Sequence, residues 1–209
     1  MQEAARGEVP GSLVGGEQAK LTTYAKTLDG PRHVLAKFSE REDSPVSERW
    51  RDLLLAEHLA PETLRDTGIA AAKTRLFDDT GDGLQRFLEV ERFDRAEPPH
   101  TLGRRALFSL AALEAEFVGD GRASWTVITR RLADDGHIRH ETADTAALLW
   151  SFGTLIGNTD MHNGNLSFFS EHGRPYDLAP AYDMTSMGFA PRNGGGGCMK
   201  HFPRQAFKR

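Results

Sequence analysis

Hydrophobic and polar positions change rhythm several times along the chain, and each change predicts an element. Residues 1–20 are rich in Gly, Glu and Ala and end in SLVGGEQAK, where two glycines precede alternating residues suited to a strand. A hairpin follows, with HVLAKFS as its second strand. There Val34, Ala36 and Phe38 share one face, and Leu35 and Lys37 share the other. From Ser47 to about Ala60 the period becomes helical, and Trp50, Leu53, Leu54 and Glu57 fall on one stripe. A carboxylate thus stands in an apolar row. After a turn near Gly68, LQRFLEVERFDR reads as a strand running into a connector.

The remainder reads as mainly helical. Leu107, Leu110, Leu113 and Phe117 predict a helix over about 103–118. Leu148, Leu149, Phe152, Leu155 and Ile156 predict another over about 144–156, with Asp144 as its cap. The stretch between them is polar and carries no clear period. Beyond Phe189 the chain turns glycine-rich and basic, and residues 191–209 are expected to form a loose tail.

Composition narrows the function classes. At 209 residues, 39% hydrophobic and 27% charged, the chain can bury a core, as one domain of two lobes or two small domains. A formal charge of −4 supplies no bulk attraction to nucleic acid or anionic membrane, so neither is expected as a partner. The single cysteine, Cys198, excludes an intramolecular disulfide and any multi-cysteine zinc site, which fits a reducing, cytoplasmic setting. The N-terminus lacks the basic-then-apolar order of a signal peptide, and no run approaches the ~20 apolar residues of a membrane span.

Candidate chemistry concentrates in IGNTDMHNGNLSFF and APAYDMTS, which place Asp160, His162, Asn165 and Asp183 in polar loops between a helix and strand residues. Phosphoryl transfer from ATP needs these residue types, because a divalent metal must neutralise the phosphates while a carboxylate orients the attacking hydroxyl. Asp160 would do the orienting, Asn165 would offer a neutral oxygen to magnesium, and Asp183 would bind it as a carboxylate. Lys37, inside an apolar strand, is aimed at an interior cleft where ATP phosphates could sit, and Glu57 could hold it there. Gly15 and Gly16 could bare backbone N–H groups over the phosphates, although neither G-x-x-x-x-G-K-[ST] nor G-x-G-x-x-G is present. The D-x-H of Asp160 and His162 is also a plausible zinc pair, but no H-x-x-x-H spacing supports it.

Taken in order, SLVGGEQAK, VLAKF, VERFDR, GNTDMHNGN and LAPAYDM resemble the HipA-like serine/threonine kinases of toxin–antitoxin systems, over about residues 12–188. RWRDLLLAEHLA resembles the short, HipT-like branch. The resemblance implies an α+β, two-lobed protein-kinase-like fold: residues 1–93 a small β-rich lobe with one helix, residues 94–190 a helical lobe. It also implies that the separate N-terminal subdomain and the C-terminal helices of the larger lobe are lacking. By resemblance Asp160 is the catalytic base, Asn165 and Asp183 hold Mg2+, and Lys37 contacts ATP. His162 and Tyr182 line the nucleotide site, Glu91 and Phe93 belong to the hinge that meets adenine, and Ser12 is the autophosphorylated serine. The implied partners are a protein substrate, an aminoacyl-tRNA synthetase among the candidates, and a HipB-like antitoxin. A small-molecule phosphotransferase, and an inactive kinase acting as a binding module, are the alternatives.

Overall fold

The computed structural model describes residues 19–27, 30–79, 81–95 and 103–191. Its architecture is α+β, with a small β-rich lobe carrying one helix and a mainly helical lobe beside it. The small lobe is an antiparallel sheet in the order β1-β2-β4-β3, made of Lys20–Thr27, Gly30–Phe38, Thr74–Asp78 and Arg86–Glu91. The expected hairpin is β1 against β2, with its first strand starting at Lys20; the SLVGGEQ part of the expected strand lies outside the described residues. In β2 the apolar Val34 and Ala36 are buried, and so is Lys37, which sits in register between Lys20 and Leu88. Strand β3 had no counterpart in the hydrophobic reading. None of its five residues is fully buried, too weak a pattern to register without the β4 partner.

Helix α1 spans Pro45–Asp66, longer at both ends than the 47–60 expected. Ser44 caps it by accepting the Ser47 N–H at 3.2 Å, and Pro45 occupies the first turn, where a missing N–H costs nothing. At the other end the helix continues past Ala60 and runs through Pro61. A helical proline costs ~3 kcal/mol. Burial of Ala60, Pro61 and Leu64 offsets that, because a fully buried leucine alone contributes about 1.5–3 kcal/mol. The stripe of Leu53, Leu54 and Glu57 faces inward, with Trp50 half-buried beside it.

The larger lobe corrects the helix boundaries. Residues 107–109 form strand β5, paired with β6 (Ser167–Phe169), and only Leu110–Phe117 is helical as α2. Leu107 merely shared the helical spacing, while Ser109 starts the helix by accepting the Ala112 N–H at 3.2 Å. The polar stretch holds α3 (Trp125–Asp134), whose buried Trp125, Ile128 and Leu132 are separated by arginines and threonines. Helix α4 begins earlier than expected, at His140, and ends at Leu155. Asp144 is therefore not its cap; it is an exposed ion-pair partner of Arg130 on α3 at 2.9 Å. The apolar row is only partly the core face: Leu149 is buried, with Phe152 and Ile156 packed against the core, but Leu148 and Leu155 point outward, and Ala143, Ala146 and Gly153 join Leu149 on the inward side. The small residues let α3 and the loop after α4 come close.

One core fills this lobe, built from Leu110, Trp125, Ile128, Leu149 and Phe168 with their neighbours, and it also takes in Ala60 and Leu64 of α1. The strand β7 (Asp177–Leu178) completes the β5-β6-β7 sheet. Among the described residues no helix is long and apolar enough to cross a membrane. The tail expected beyond 191 lies outside the described residues.

Candidate active site

Three charged groups meet where the two lobes face each other. The Lys37 ammonium, 3% exposed, donates to Glu57 Oε1 from α1 and, at 2.6 Å, to Asp183 Oδ1 from the larger lobe. Burial alone would push the Lys37 pKa down, but the two carboxylates outweigh it and hold the ammonium above the usual lysine range. Burial would likewise raise Asp183, yet Lys37 prevails and holds that carboxyl below its usual range. Glu57 Oε2 is buried and has no hydrogen-bond partner among the described residues. This is a satisfied lysine between two acids.

Asp183 has φ 55°, a left-handed conformation unusual for a residue with a side chain. It persists because its flanks are fixed. Ala181 pairs with Ala71, its N–H donating to Ala70 C=O at 2.9 Å and its C=O accepting from Ala72 N–H at 2.8 Å. The Tyr182 hydroxyl donates to Gly164 C=O at 2.7 Å and shares a 2.8 Å bond with Ser167. Tyr182 is thus committed to the loop that carries Asp160, while its ring packs on Phe93 with centroids 5.5 Å apart.

The loop after α4 supplies the other candidates. Asp160 is exposed, and among the described residues its carboxylate makes no hydrogen bond or ion pair. It lines a cleft of about 500 Å³ together with Trp150, Thr154, Asn158, Met161 and His162. Asn165 is buried and donates from Nδ2 to Asp160 C=O at 2.8 Å, leaving its Oδ1 as the atom available to a cation. His162 is exposed; its Nδ1 accepts the Gly164 N–H at 3.0 Å and starts the short 3-10 turn Asn163–Asn165. Buried Trp125 holds the same loop by donating to His162 C=O at 3.3 Å.

The hinge candidates are placed differently. The Glu91 carboxylate is clasped by Arg32 at 2.5 Å, and the Glu91 N–H is spent on Lys73 C=O at 2.8 Å. Phe93 directs its ring onto Tyr182 and Phe169, so its side chain ties the connector to the larger lobe. Ser12, Gly15 and Gly16 lie outside the described residues. Two residues the sequence reading did not single out turn out to support the site: Trp125 and Asn158. The second stood in plain view within GNTD, but an asparagine beside a candidate acid reads first as a turn former.

The donor set suits magnesium. Among the described residues no three His, Cys, Asp or Glu side chains cluster as a soft or multi-carboxylate metal site would require. What exists is one carboxylate oxygen, Asp183 Oδ2, and one amide oxygen, the sparse hard-oxygen complement that magnesium uses alongside phosphates and water.

Comparison with known proteins shows the family and the fold. The model of the family described as HipA-like C-terminal domain matches residues 12–206. Over 193 residues the chain is 42% identical to a protein of Escherichia coli (strain K12) described as Toxin YjjJ, covering 92% of this chain and 42% of that protein. The crystal structure of the Helicobacter pylori proinflammatory kinase CtkA superposes with a TM-score of 0.59 at 17% identity, covering 84% of this chain and 57% of that one. The chain therefore spans less than half the length of the toxin and somewhat more than half of the kinase, and the second likeness is one of fold.

Proposed function

The chain belongs to the HipA-like C-terminal domain family, and from that premise we propose that it is an ATP- and magnesium-dependent kinase that phosphorylates serine or threonine hydroxyls of a protein. The observation that carries the reading is the meeting of Lys37, Glu57 and Asp183 beside a loop that presents an exposed Asp160 and the amide of Asn165. Lys37 has the position and charge to grip ATP phosphates. Magnesium, when bound through Asp183 and Asn165, would neutralise the triphosphate. Asp160 accepts the acceptor's proton as the new O–P bond forms and the bond to the ADP oxygen breaks. The cleft at Asp160 gives the acceptor hydroxyl its way in.

By likeness to the toxin, the proposed setting is a toxin–antitoxin pair in the cytoplasm, with a HipB-like antitoxin as partner and an aminoacyl-tRNA synthetase as candidate target. The test is incubation of the purified chain with γ-labelled ATP and magnesium. Label is expected on protein, with Asp160→Ala lowering the rate by about 10²–10⁴-fold. Equal rates for that variant, or label moving to a small molecule and never to protein, would overturn the proposal.

A further inference from the structure

The two acids of the site lie on different segments, and something must hold them in register. Helix α4 ends in a Schellman arrangement: Gly157, at φ 73°, donates its N–H to Thr154 C=O at 3.2 Å, and Asn158 donates its own to Gly153 C=O at 2.8 Å. That closure delivers the Asn158 side chain to a fixed place, where it is 6% exposed. Its Oδ1 accepts the Asp160 N–H at 3.0 Å, and its Nδ2 donates to Asp183 C=O at 3.3 Å. Among the described residues no other side chain hydrogen-bonds the main chain at both acids.

A second tie runs parallel to it. The Gly157 C=O accepts the Gly188 N–H at 2.8 Å, so the segment after Asp183 returns to the same helix end. Asp183, strained at φ 55°, is therefore fixed through its carboxylate by Lys37 and through its carbonyl by Asn158.

Resting on the kinase reading, we propose that Asn158 is a positioning residue that sets Asp183 for magnesium relative to Asp160. In this role it acts through its main-chain bonds to the two acids. Its amide is the right group because it offers an acceptor to one main chain and a donor to the other without adding a charge beside the two acids.

The experiment measures ATP affinity of the full 209-residue chain by calorimetry, with and without magnesium, for the parent, Asn158→Ala and Asn158→Leu. Leucine keeps the volume if alanine leaves a destabilising hole. In the parent, magnesium is expected to tighten ATP binding. In both variants the metal-free affinity stays at the parent value, while the enhancement by magnesium falls by roughly tenfold, on the order of the worth of the lost bond to Asp183 C=O. A merely structural residue would weaken both affinities together, and that result overturns the proposal. So does an undiminished magnesium enhancement, a parent without any enhancement, or loss of the folding transition in both variants. Failure of the parent to bind ATP at all would instead remove the kinase reading on which the role rests.

Discussion

Lys37 shows how much of the site is held by one side chain. Its ammonium answers two carboxylates, and Glu57 is almost fully enclosed. Removing one partner of a buried pair strands the other charge, at a cost of about 3–5 kcal/mol. Lys37→Met is expected to lower stability by that order in urea unfolding at neutral pH, whereas a surface lysine would cost almost nothing. The pH course follows from Asp183, whose pKa is depressed in the folded protein. A depressed carboxyl contributes stability above its unfolded value of about 3.9 and loses it as pH falls through the lower folded value. In metal-free buffer the gap between parent and variant should therefore hold from neutrality to about pH 5 and narrow in stronger acid. A gap that widens in acid would contradict the ion-pair account. The residue types at this centre were legible in the sequence because charges inside apolar rows are conspicuous. Asn158 was not, since its importance lies in what its two ends reach rather than in its type.

At the scale of elements, the fit between the end of α4 and the segment after Asp183 is close. A methyl group added at Gly188 would stand 2.9 Å from the Gly157 carbonyl oxygen, a backbone atom with little room to give. Gly188→Ala is expected to destabilise the protein by about 1–3 kcal/mol and to weaken the magnesium dependence of ATP binding. Unchanged urea midpoint and metal dependence would show that the contact is slack. Reading elements from hydrophobic rhythm succeeded where the apolar spacing is regular, as in β2 and the front of α1. It failed for α3, whose apolar positions are diluted by arginines and threonines, and for β3, which gains its place from β4. It misjudged part of the face of α4, where small residues join Leu149 at the core while Leu148 and Leu155 are exposed.

For the molecule as a whole, the lobes are joined by contacts that a nucleotide would bridge further. Saturating ATP with magnesium is expected to raise the unfolding temperature, since a ligand at 100 times its dissociation constant adds about 2.7 kcal/mol. Scanning calorimetry with ATP alone, magnesium alone and both separates the contributions; no shift with both would count against a nucleotide site. The two-lobed α+β plan was legible from strands preceding helices and from ordered motifs, whereas the seam between the lobes was not, because it depends on side chains far apart in the chain. Helix α1 crosses that seam. Its front half lies on the sheet, and Ala60 and Leu64 are rooted in the other lobe's core. Pro61 withholds one rung of its ladder, the bond that the Glu57 carbonyl would otherwise receive. Any rocking of the sheet must flex this shared rod, and the notch one turn past Glu57 is where it bends most cheaply.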